Sequence, residues 1–208
     1  MTNPTSPKRF SMIRGFHLAD WFTLGNAVCG TGSLFSTISY VQSGNTRHLY
    51  LAGALVFVAF LFDVLDGRIA RWRRTHSAMG RELDSLADVI SFGVAPAVFG
   101  YGCGMQGLYD RVVLGYFVAC GVSRLARFNV TAESLSGTSG KVTHFEGTPI
   151  PTSSVVVIIL LIGVSMGSVG DMLWFGEVHL KTHVLHPLVL LFALSGSLMI
   201  SRFRIPKL

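Results

Sequence analysis

Six long apolar runs constrain this chain more than any other feature of its sequence. A helix needs roughly 20 mostly apolar residues to cross the hydrocarbon core of a bilayer, and each run approaches that length. Because lipid offers no hydrogen-bond partners, a spanning backbone must satisfy its own polar groups, which favours helices. The sequence therefore predicts an all-α, polytopic integral membrane protein with six transmembrane helices. The runs cover about residues 21–42, 49–70, 84–103, 111–129, 151–169 and 185–202.

Composition supports this prediction. Half of the 208 residues are hydrophobic and only 13% are charged, whereas about a quarter of the residues in a soluble domain are charged. The mean hydropathy is +0.53. The length suits a single domain over residues 1–208. The three cysteines are scattered through apolar runs without a CxxC pair, which is typical of packing residues and not of a disulfide framework or metal site.

The basic residues indicate how the chain is oriented. With six spans and the N-terminus inside, all of the 17 Lys and Arg residues except Arg47, Arg111 and Lys181 fall in cytoplasmic segments. This bias assigns both termini to the cytoplasm. The net charge of +6 then reflects topology and contact with anionic lipid, which argues against nucleic acid as a partner. Residues 10–20 are predicted to form a short interfacial helix before the first span.

Acidic residues are concentrated in one stretch, DVLDGRIARWRRTHSAMGRELDSLAD, between the second and third apolar runs. It contains Asp63, Asp66, Asp84, Asp88 and one glutamate, out of 11 acids in the chain. The second span runs towards the cytoplasm and the third away from it, so all four aspartates are expected at one depth near the cytoplasmic face. Spacings of three and four residues place each pair on one helix face. Gly80 is predicted to permit a tight reversal between them.

Four carboxylates that face one another require compensation. A charge at the centre of a spanning helix costs ~2.5–3.5 kcal/mol, and less near the interface. Hard oxygen ligands suit Mg²⁺, Mn²⁺ or Ca²⁺, and two such ions would balance four carboxylates and leave positions for phosphate oxygens. Gly67 and Ala70 leave room for a ligand beside the acids, and Arg71 suits a phosphate. The alternative is a solvated charge pattern at two helix ends.

The pattern Asp63-x2-Asp66-Gly67-x2-Ala70-Arg71-x8-Gly80-x3-Asp84-x3-Asp88 resembles the signature of the CDP-alcohol phosphotransferase family without a departure. The resemblance covers essentially the whole chain, because that family also has six transmembrane helices and is usually a homodimer. It implies transfer of a phosphatidyl group from a CDP-linked lipid to an alcohol, with release of CMP and with two divalent ions, Mg²⁺ or Mn²⁺.

The resemblance also implies roles for individual residues. Asp88 resembles the aspartate that acts as general base on the incoming hydroxyl. Four aspartates correspond to the metal site, and four further residues lie on the nucleotide side. The metal set is Asp63, Asp66, Asp84 and Asp88, and the nucleotide-side set is Gly67, Ala70, Arg71 and Gly80.

Three further segments resemble the phosphatidylserine synthase branch of this family: DSLADVISFGVAPA (84–97), SRLARFNV (123–130) and FEGTPIPTSS (145–154). They imply CDP-diacylglycerol and L-serine as substrates. The opening of the first span, DWFTLGNAVCG, also resembles that branch, although Asp20-Trp21 stands where a Pro-Asn pair is common. This match implies that Thr23 and Asn26 approach the cytidine.

Two arginines are candidates for recognition of the serine carboxylate. Arg124 and Arg127 are three residues apart near the cytoplasmic end of the fourth span. An arginine at that depth is expected to face the bundle interior or a wet cavity, where it binds a carboxylate in a bidentate manner. Asn129 is predicted to add an amide contact. The alternative is that both arginines extend towards lipid headgroups.

Other functions stay open at this point. A sibling enzyme of the family would use glycerol 3-phosphate, inositol phosphate or choline. A phosphorylated acceptor would need several further basic residues near the two arginines, and the sequence offers Lys141 alone. A cation transporter would place its acids in the middle of the spans. The expected location is the inner membrane of a bacterial-type cell, with the active site at its cytoplasmic face.

Overall fold

The computed structural model describes residues 18–73, 78–136, 144–180, 183–201 and 204–206. Most of them are helical, and each of the six apolar runs contains a helix, which confirms the predicted helical class. The proposed interfacial helix at residues 10–20 falls mainly outside the described residues. The α-helices are α1 (Leu18–Ser43), α2 (Arg47–Arg73), α3 (Ala78–Asp88), α4 (Ala95–Cys103), α5 (Leu108–Ser136), α6 (Ser153–Ser165) and α7 (Leu190–Ile200).

The helices differ in how well their lengths match a bilayer. Within the described residues, Arg47–Ile69 and Met79–Cys103 are long and apolar enough to cross a membrane, with mean hydropathies of 2.1 and 1.4. The last two apolar helices, counted with the 3₁₀ turns before them, are the shorter Ile150–Ser165 and Pro187–Ile200. At 1.5 Å per residue they extend about 20–25 Å, less than the ~30 Å hydrocarbon core.

Helix α1 buries polar residues and exposes apolar ones. Thr23, Asn26 and Ser33 are buried, whereas Val28 and Phe35 are exposed. A surface helix in water has the opposite arrangement. In lipid, an apolar outer side is stable, and small or polar residues form the contacts between helices. The orientation of α1 therefore suits a membrane and turns its polar residues towards α2 and α3, which it contacts.

A π-helical segment, Val89–Val94, joins α3 and α4 into one continuous rod. Its wider winding is seen at Ala95, whose N–H donates to the carbonyl of Ile90, five residues earlier. Pro96 explains the change of winding, because proline has no N–H and its ring crowds the carbonyl four residues before it. That carbonyl belongs to Phe92, and it accepts a 2.7 Å hydrogen bond from the Ser153 hydroxyl on α6.

Two short antiparallel strand pairs, which the sequence analysis did not predict, accompany the helices. Strand β1 (His144–Glu146) pairs with β4 (Arg204–Pro206), and β2 (Val178–Leu180) pairs with β3 (His183–Leu185). Each pair satisfies backbone groups of segments that connect or follow the helices. Three residues are too few to show the alternation by which a strand is recognised in a sequence.

A buried contact between an aspartate and a histidine closes the end of the bundle away from the acidic stretch. Asp110, in the first turn of α5, is fully buried and lies 2.6 Å from Nδ1 of His186. It also accepts the backbone N–H groups of His186 and Gly107, each at 2.9 Å. These three bonds hold the segment before α7 against the start of α5. Because Asp110 precedes Arg124 by fourteen residues of helix, the two lie ~20 Å apart along the axis.

Candidate active site

Three carboxylates converge where α2 ends and α3 begins. Asp63 and Asp66 lie one turn apart on α2, and Asp84 lies just past the middle of α3. One oxygen from each lies within 4.8 Å of the others. The predicted convergence of the acidic stretch is confirmed for these three residues. Two of the three side chains are half-buried and that of Asp66 is buried, so their negative charges are only partly solvated.

Asp88 lies beside this group and has a different environment. It is buried, with 6% of its surface exposed, and it forms electrostatic interactions with Asp63, Asp84 and Asp66. Its Oδ1 accepts a 3.1 Å hydrogen bond from Nδ2 of Asn26. The structure thus brings all four predicted aspartates to one place, with three of them as a tight group and the fourth held separately by α1.

Helix α1 contributes two polar side chains to the acids. Thr23 Oγ1 donates to Asp66 Oδ2 at 2.9 Å, and Asn26 donates to Asp88. Both residues were predicted to approach the cytidine. The structure places them in contact with the carboxylates, where their hydrogen bonds orient the two acids. Their contact with the nucleotide stays a prediction.

The donor set fits a divalent cation. Carboxylate oxygens are the ligands that Mg²⁺ and Mn²⁺ prefer. Asp84 Oδ1 is buried and has no hydrogen-bond partner among the described residues, and the same holds for Asn26 Oδ1. Buried polar atoms are nearly always satisfied in native proteins, and an ion is one of the groups that satisfies them. The residues at this position therefore suit a metal between α2 and α3.

The structure separates the two predicted arginines. Arg124 is half-buried, interacts electrostatically with Asp88 and Asp63, and has its guanidinium carbon 5.7 Å from the centre of the Phe128 ring. Arg127 is exposed. Arg124 is therefore the predicted serine ligand that lies beside the acids, and nothing in the described contacts brings Arg127 to them.

Asn129 lies against α3. Its amide exchanges hydrogen bonds with the Ser85 hydroxyl at 3.0 and 3.2 Å, and Nδ2 lies 3.4 Å from both carboxylate oxygens of Glu82. Since Ser85 follows Asp84 directly, these bonds fix α5 to the helix that carries two of the acids. A role for Asn129 in serine binding stays a prediction.

The small residues of the signature lie within helices. Gly67 follows Asp66 in α2, and Gly80 is the third residue of α3. The prediction that Gly80 forms the reversal is wrong, because the helix begins before it and the connection falls in residues 74–77, outside the described residues. The side chains of Ala70 and Arg71 also lie outside the described part of the chain. Their proximity to a nucleotide stays a prediction.

Several residues near the site escaped sequence reasoning. Asp20 is a further buried acid, one turn before Thr23 on the inner face of α1. The spacing of Asp20, Thr23 and Asn26, each three residues apart, is the signal that could have identified this polar face. Ser85 and Glu82 carried no such signal, because their contacts are with Asn129, more than forty positions away in the sequence.

The fold and the site together define a helical integral membrane protein with a partly buried cluster of carboxylates that suits a divalent metal. Such a cluster is typical of enzymes that act on phosphate esters. Comparison with known proteins gives the family. The chain belongs to the CDP-alcohol phosphatidyltransferase family, whose model matches residues 16–195.

Three similar proteins have names that refer to serine or to a serine lipid. The chain is 41% identical over 203 residues to a CDP-diacylglycerol–serine O-phosphatidyltransferase of Saccharomyces cerevisiae, covering 95% of this chain and 73% of that protein. It is 35% identical to the enzyme of the same name from Helicobacter pylori, covering 89% of this chain and 70% of the relative. It is 39% identical to an archaetidylserine synthase of Methanothermobacter thermautotrophicus, over 67% of this chain and 55% of the relative.

Proposed function

We propose that this protein transfers the phosphatidyl group of CDP-diacylglycerol to the hydroxyl of L-serine, giving phosphatidylserine and CMP. The observation that carries the proposal is the convergence of three carboxylates within 4.8 Å in a chain that aligns over 95% of its length with a serine-specific member of the family. The carboxylates support the phosphate chemistry, and the relatives support the acceptor.

Asp63, Asp66 and Asp84 would hold the metal, and Asp88 would complete the set when a second ion binds. The bound Mg²⁺ or Mn²⁺ supplies electrostatic stabilisation of the negative charge on the diphosphate. Thr23 orients Asp66 through its 2.9 Å hydrogen bond. This bond limits the rotation of the carboxylate, so the ligand is held in place before the substrate binds.

Asp88 is the proposed general base. The hydrogen bond from Asn26 to Oδ1 holds the Asp88 carboxylate beside the tight group. Asp88 takes the proton of the serine hydroxyl, and the serine oxygen forms a bond to the lipid-side phosphorus. The bond from that phosphorus to the CMP oxygen then breaks. Burial of Asp88 excludes water, which would otherwise compete with serine.

Arg124 is the proposed ligand of the serine carboxylate. It is half-buried and interacts electrostatically with Asp88 and Asp63. A guanidinium binds a carboxylate through two parallel hydrogen bonds, which fixes the orientation of serine as well as its position. On the donor side, Gly67, Ala70, Arg71 and Gly80 are proposed to lie beside the cytidine diphosphate.

We further propose six membrane spans, cytoplasmic termini and a homodimer in an inner membrane of the bacterial type. Six helical runs and the distribution of Lys and Arg support the topology. The apolar residues exposed on several helices suit lipid or a second copy of the chain. With this topology the carboxylates lie at the cytoplasmic side.

A direct assay tests the proposed reaction. Purified protein in detergent is given CDP-diacylglycerol, Mn²⁺ and one acceptor at a time: serine, glycerol 3-phosphate, inositol phosphate or choline. CMP release and the lipid product are measured. Of the four acceptors, only serine should give rapid CMP release, with phosphatidylserine as the lipid product. Faster turnover with another acceptor would overturn the serine assignment. If none of the four acceptors gave CMP release, the enzyme assignment would be overturned.

A further inference from the structure

The π-helical segment Val89–Val94 connects the acidic helix α3 to the rest of its span, and side chains of α1, α2 and α6 bond to it or pack against it. On the α1 side, Ser91 Oγ donates to the backbone carbonyl of Asn26 at 2.9 Å. On the α2 side, the buried Phe92 ring packs edge-to-face against Phe60, with ring centres 6.4 Å apart. Phe60 lies one turn before Asp63. The segment therefore contacts two helices that carry site residues.

On the third side, α6 supplies a hydroxyl. Ser153 is fully buried and donates to the carbonyl of Phe92 at 2.7 Å. In an α-helix this carbonyl would accept the N–H of residue 96, which is proline and has none. In lipid, a carbonyl freed by proline is satisfied by a neighbouring Ser or Thr side chain or by local π winding, and both occur here.

The winding of this segment determines where Asp88 points. A π turn contains more residues than the 3.6 of an α turn. If the segment returned to α winding, its turn would hold one residue fewer, and the part of the span before it would rotate by up to ~100° relative to α4. Asp84 and Asp88 belong to that part. Asp88 would then leave Asn26, with which it shares a 3.1 Å hydrogen bond.

We propose that Ser153 is a positioning residue for phosphatidyl transfer. Its hydrogen bond stabilises the π winding at Phe92 and so keeps Asp84 and Asp88 directed towards Asp63 and Asp66. Ser153 does not contact the acids and acts through the backbone of the span. The inference rests on the proposed function and adds a residue on α6 that the signature between Asp63 and Asp88 does not contain.

Ser154 provides a matched control, because it is the next residue and its buried hydroxyl oxygen has no hydrogen-bond partner among the described residues. Ser153→Ala, Ser153→Thr, Ser153→Val and Ser154→Ala are purified by size exclusion, and kcat and KM are measured with CDP-diacylglycerol and serine. In a second measurement, without substrate, folded protein is titrated with Mn²⁺, and the half-saturating Mn²⁺ concentration is read from the EPR signal of the free ion. This concentration does not depend on the fraction of folded protein.

Ser153→Ala should lower kcat by about 10- to 100-fold, the effect expected of a small misplacement of reacting groups, with KM changed by less than about threefold. The half-saturating Mn²⁺ concentration should rise by about tenfold or more, as for other residues that orient metal ligands. Ser153→Thr should recover most of both losses. Valine has the shape of threonine without its hydroxyl, so Ser153→Val should not recover either loss. Ser154→Ala should have the kcat and the half-saturating Mn²⁺ concentration of wild type.

The proposal would be overturned if Ser153→Thr and Ser153→Val had equal kcat and equal half-saturating Mn²⁺ concentrations. It would also be overturned if Ser153→Ala matched Ser154→Ala in both quantities. If Ser153→Ala is not recovered as folded protein, Ser153→Cys replaces it, because cysteine is close to serine in size and is a weaker hydrogen-bond donor. A wild-type kcat and a wild-type half-saturating Mn²⁺ concentration for Ser153→Cys would also overturn the proposal. Failure of the wild type to form phosphatidylserine in the same assay would count against the proposed function. It would not count against this inference, which the Mn²⁺ titration tests by itself.

Discussion

Arg124 and Arg127 form a natural pair for a test of acceptor recognition. They are three residues apart on α5, but Arg124 is half-buried beside Asp63 and Asp88, whereas Arg127 is exposed. We expect only Arg124 to bind the serine carboxylate. The change is Arg→Lys at each position, because lysine keeps the positive charge and loses the planar fork that binds a carboxylate through two bonds.

The magnitude follows from the type of bond that is lost. A hydrogen bond to a charged group contributes ~1.5–3 kcal/mol, which corresponds to a change of about 10- to 150-fold in a binding constant. The KM for serine should therefore rise by ~10-fold or more in Arg124→Lys. The exposed Arg127 is screened by solvent, so Arg127→Lys should change the serine KM by less than about twofold. KM for CDP-diacylglycerol should stay near the wild-type value in both.

The assay measures CMP release at saturating CDP-diacylglycerol with serine as the varied substrate. Serinol, which has the hydroxyl and the amine but no carboxylate, is compared with serine. It should be a poor acceptor for wild type and should lose proportionally less than serine in Arg124→Lys. A higher KM for CDP-diacylglycerol with an unchanged serine KM in Arg124→Lys would refute the reasoning and assign Arg124 to the donor side. A serine KM that rises only in Arg127→Lys would refute the separation of the two arginines.

Three further predictions concern the acids and the helix contacts that support them. Chelation with EDTA should abolish CMP release, and Mg²⁺ or Mn²⁺ should restore it; full activity of metal-free protein would contradict a role for the carboxylates as ligands. Asp88→Asn should lower kcat by ~10²–10⁴-fold, as expected for loss of a general base, while CDP-diacylglycerol still binds; more than about a tenth of wild-type activity is incompatible with that role. Gly30→Ala places a Cβ 2.3 Å from Ser91 Oγ and 2.8 Å from Ser91 Cα, and such overpacking should destabilise the protein by ~1–3 kcal/mol. Gly115→Ala, where nothing lies within 4 Å of the added Cβ, is its control, and equal Tm values for the two variants would show that α1 does not need this close approach.

The helical class and the main acidic centre were predictable because both depend on local spacing. An apolar run of spanning length dictates a helix wherever it occurs, since lipid leaves no other way to satisfy the backbone. Asp63 and Asp66 share a face of α2 whatever the rest of the chain does. The antiparallel order of two successive spans then brings Asp84 to the same end, where the three oxygens lie within 4.8 Å.

The details of the site depended on contacts that no local pattern contains. Asn129 was predicted as a serine ligand because it follows the two arginines, yet its amide bonds to Ser85 and Glu82 on α3. The short strand pair between His144–Glu146 and Arg204–Pro206 joins segments almost sixty residues apart. Such pairings arise only when the helices between them have packed.

The sequence by itself determined that this is a helical membrane protein of the CDP-alcohol phosphatidyltransferase family with its acids near one face. The helical membrane class and the position of the acids follow from hydropathy, charge position and spacing along single helices, and the family follows from the resemblance of the segment between Asp63 and Asp88 to its signature. Only the tertiary structure decided that Asp88 stands apart with Asn26, that Arg124 and not Arg127 lies beside the acids, and that Ser153 satisfies the carbonyl freed by Pro96. The physical reason is that a buried polar group requires a partner, and which partner reaches it depends on how the helices pack around it.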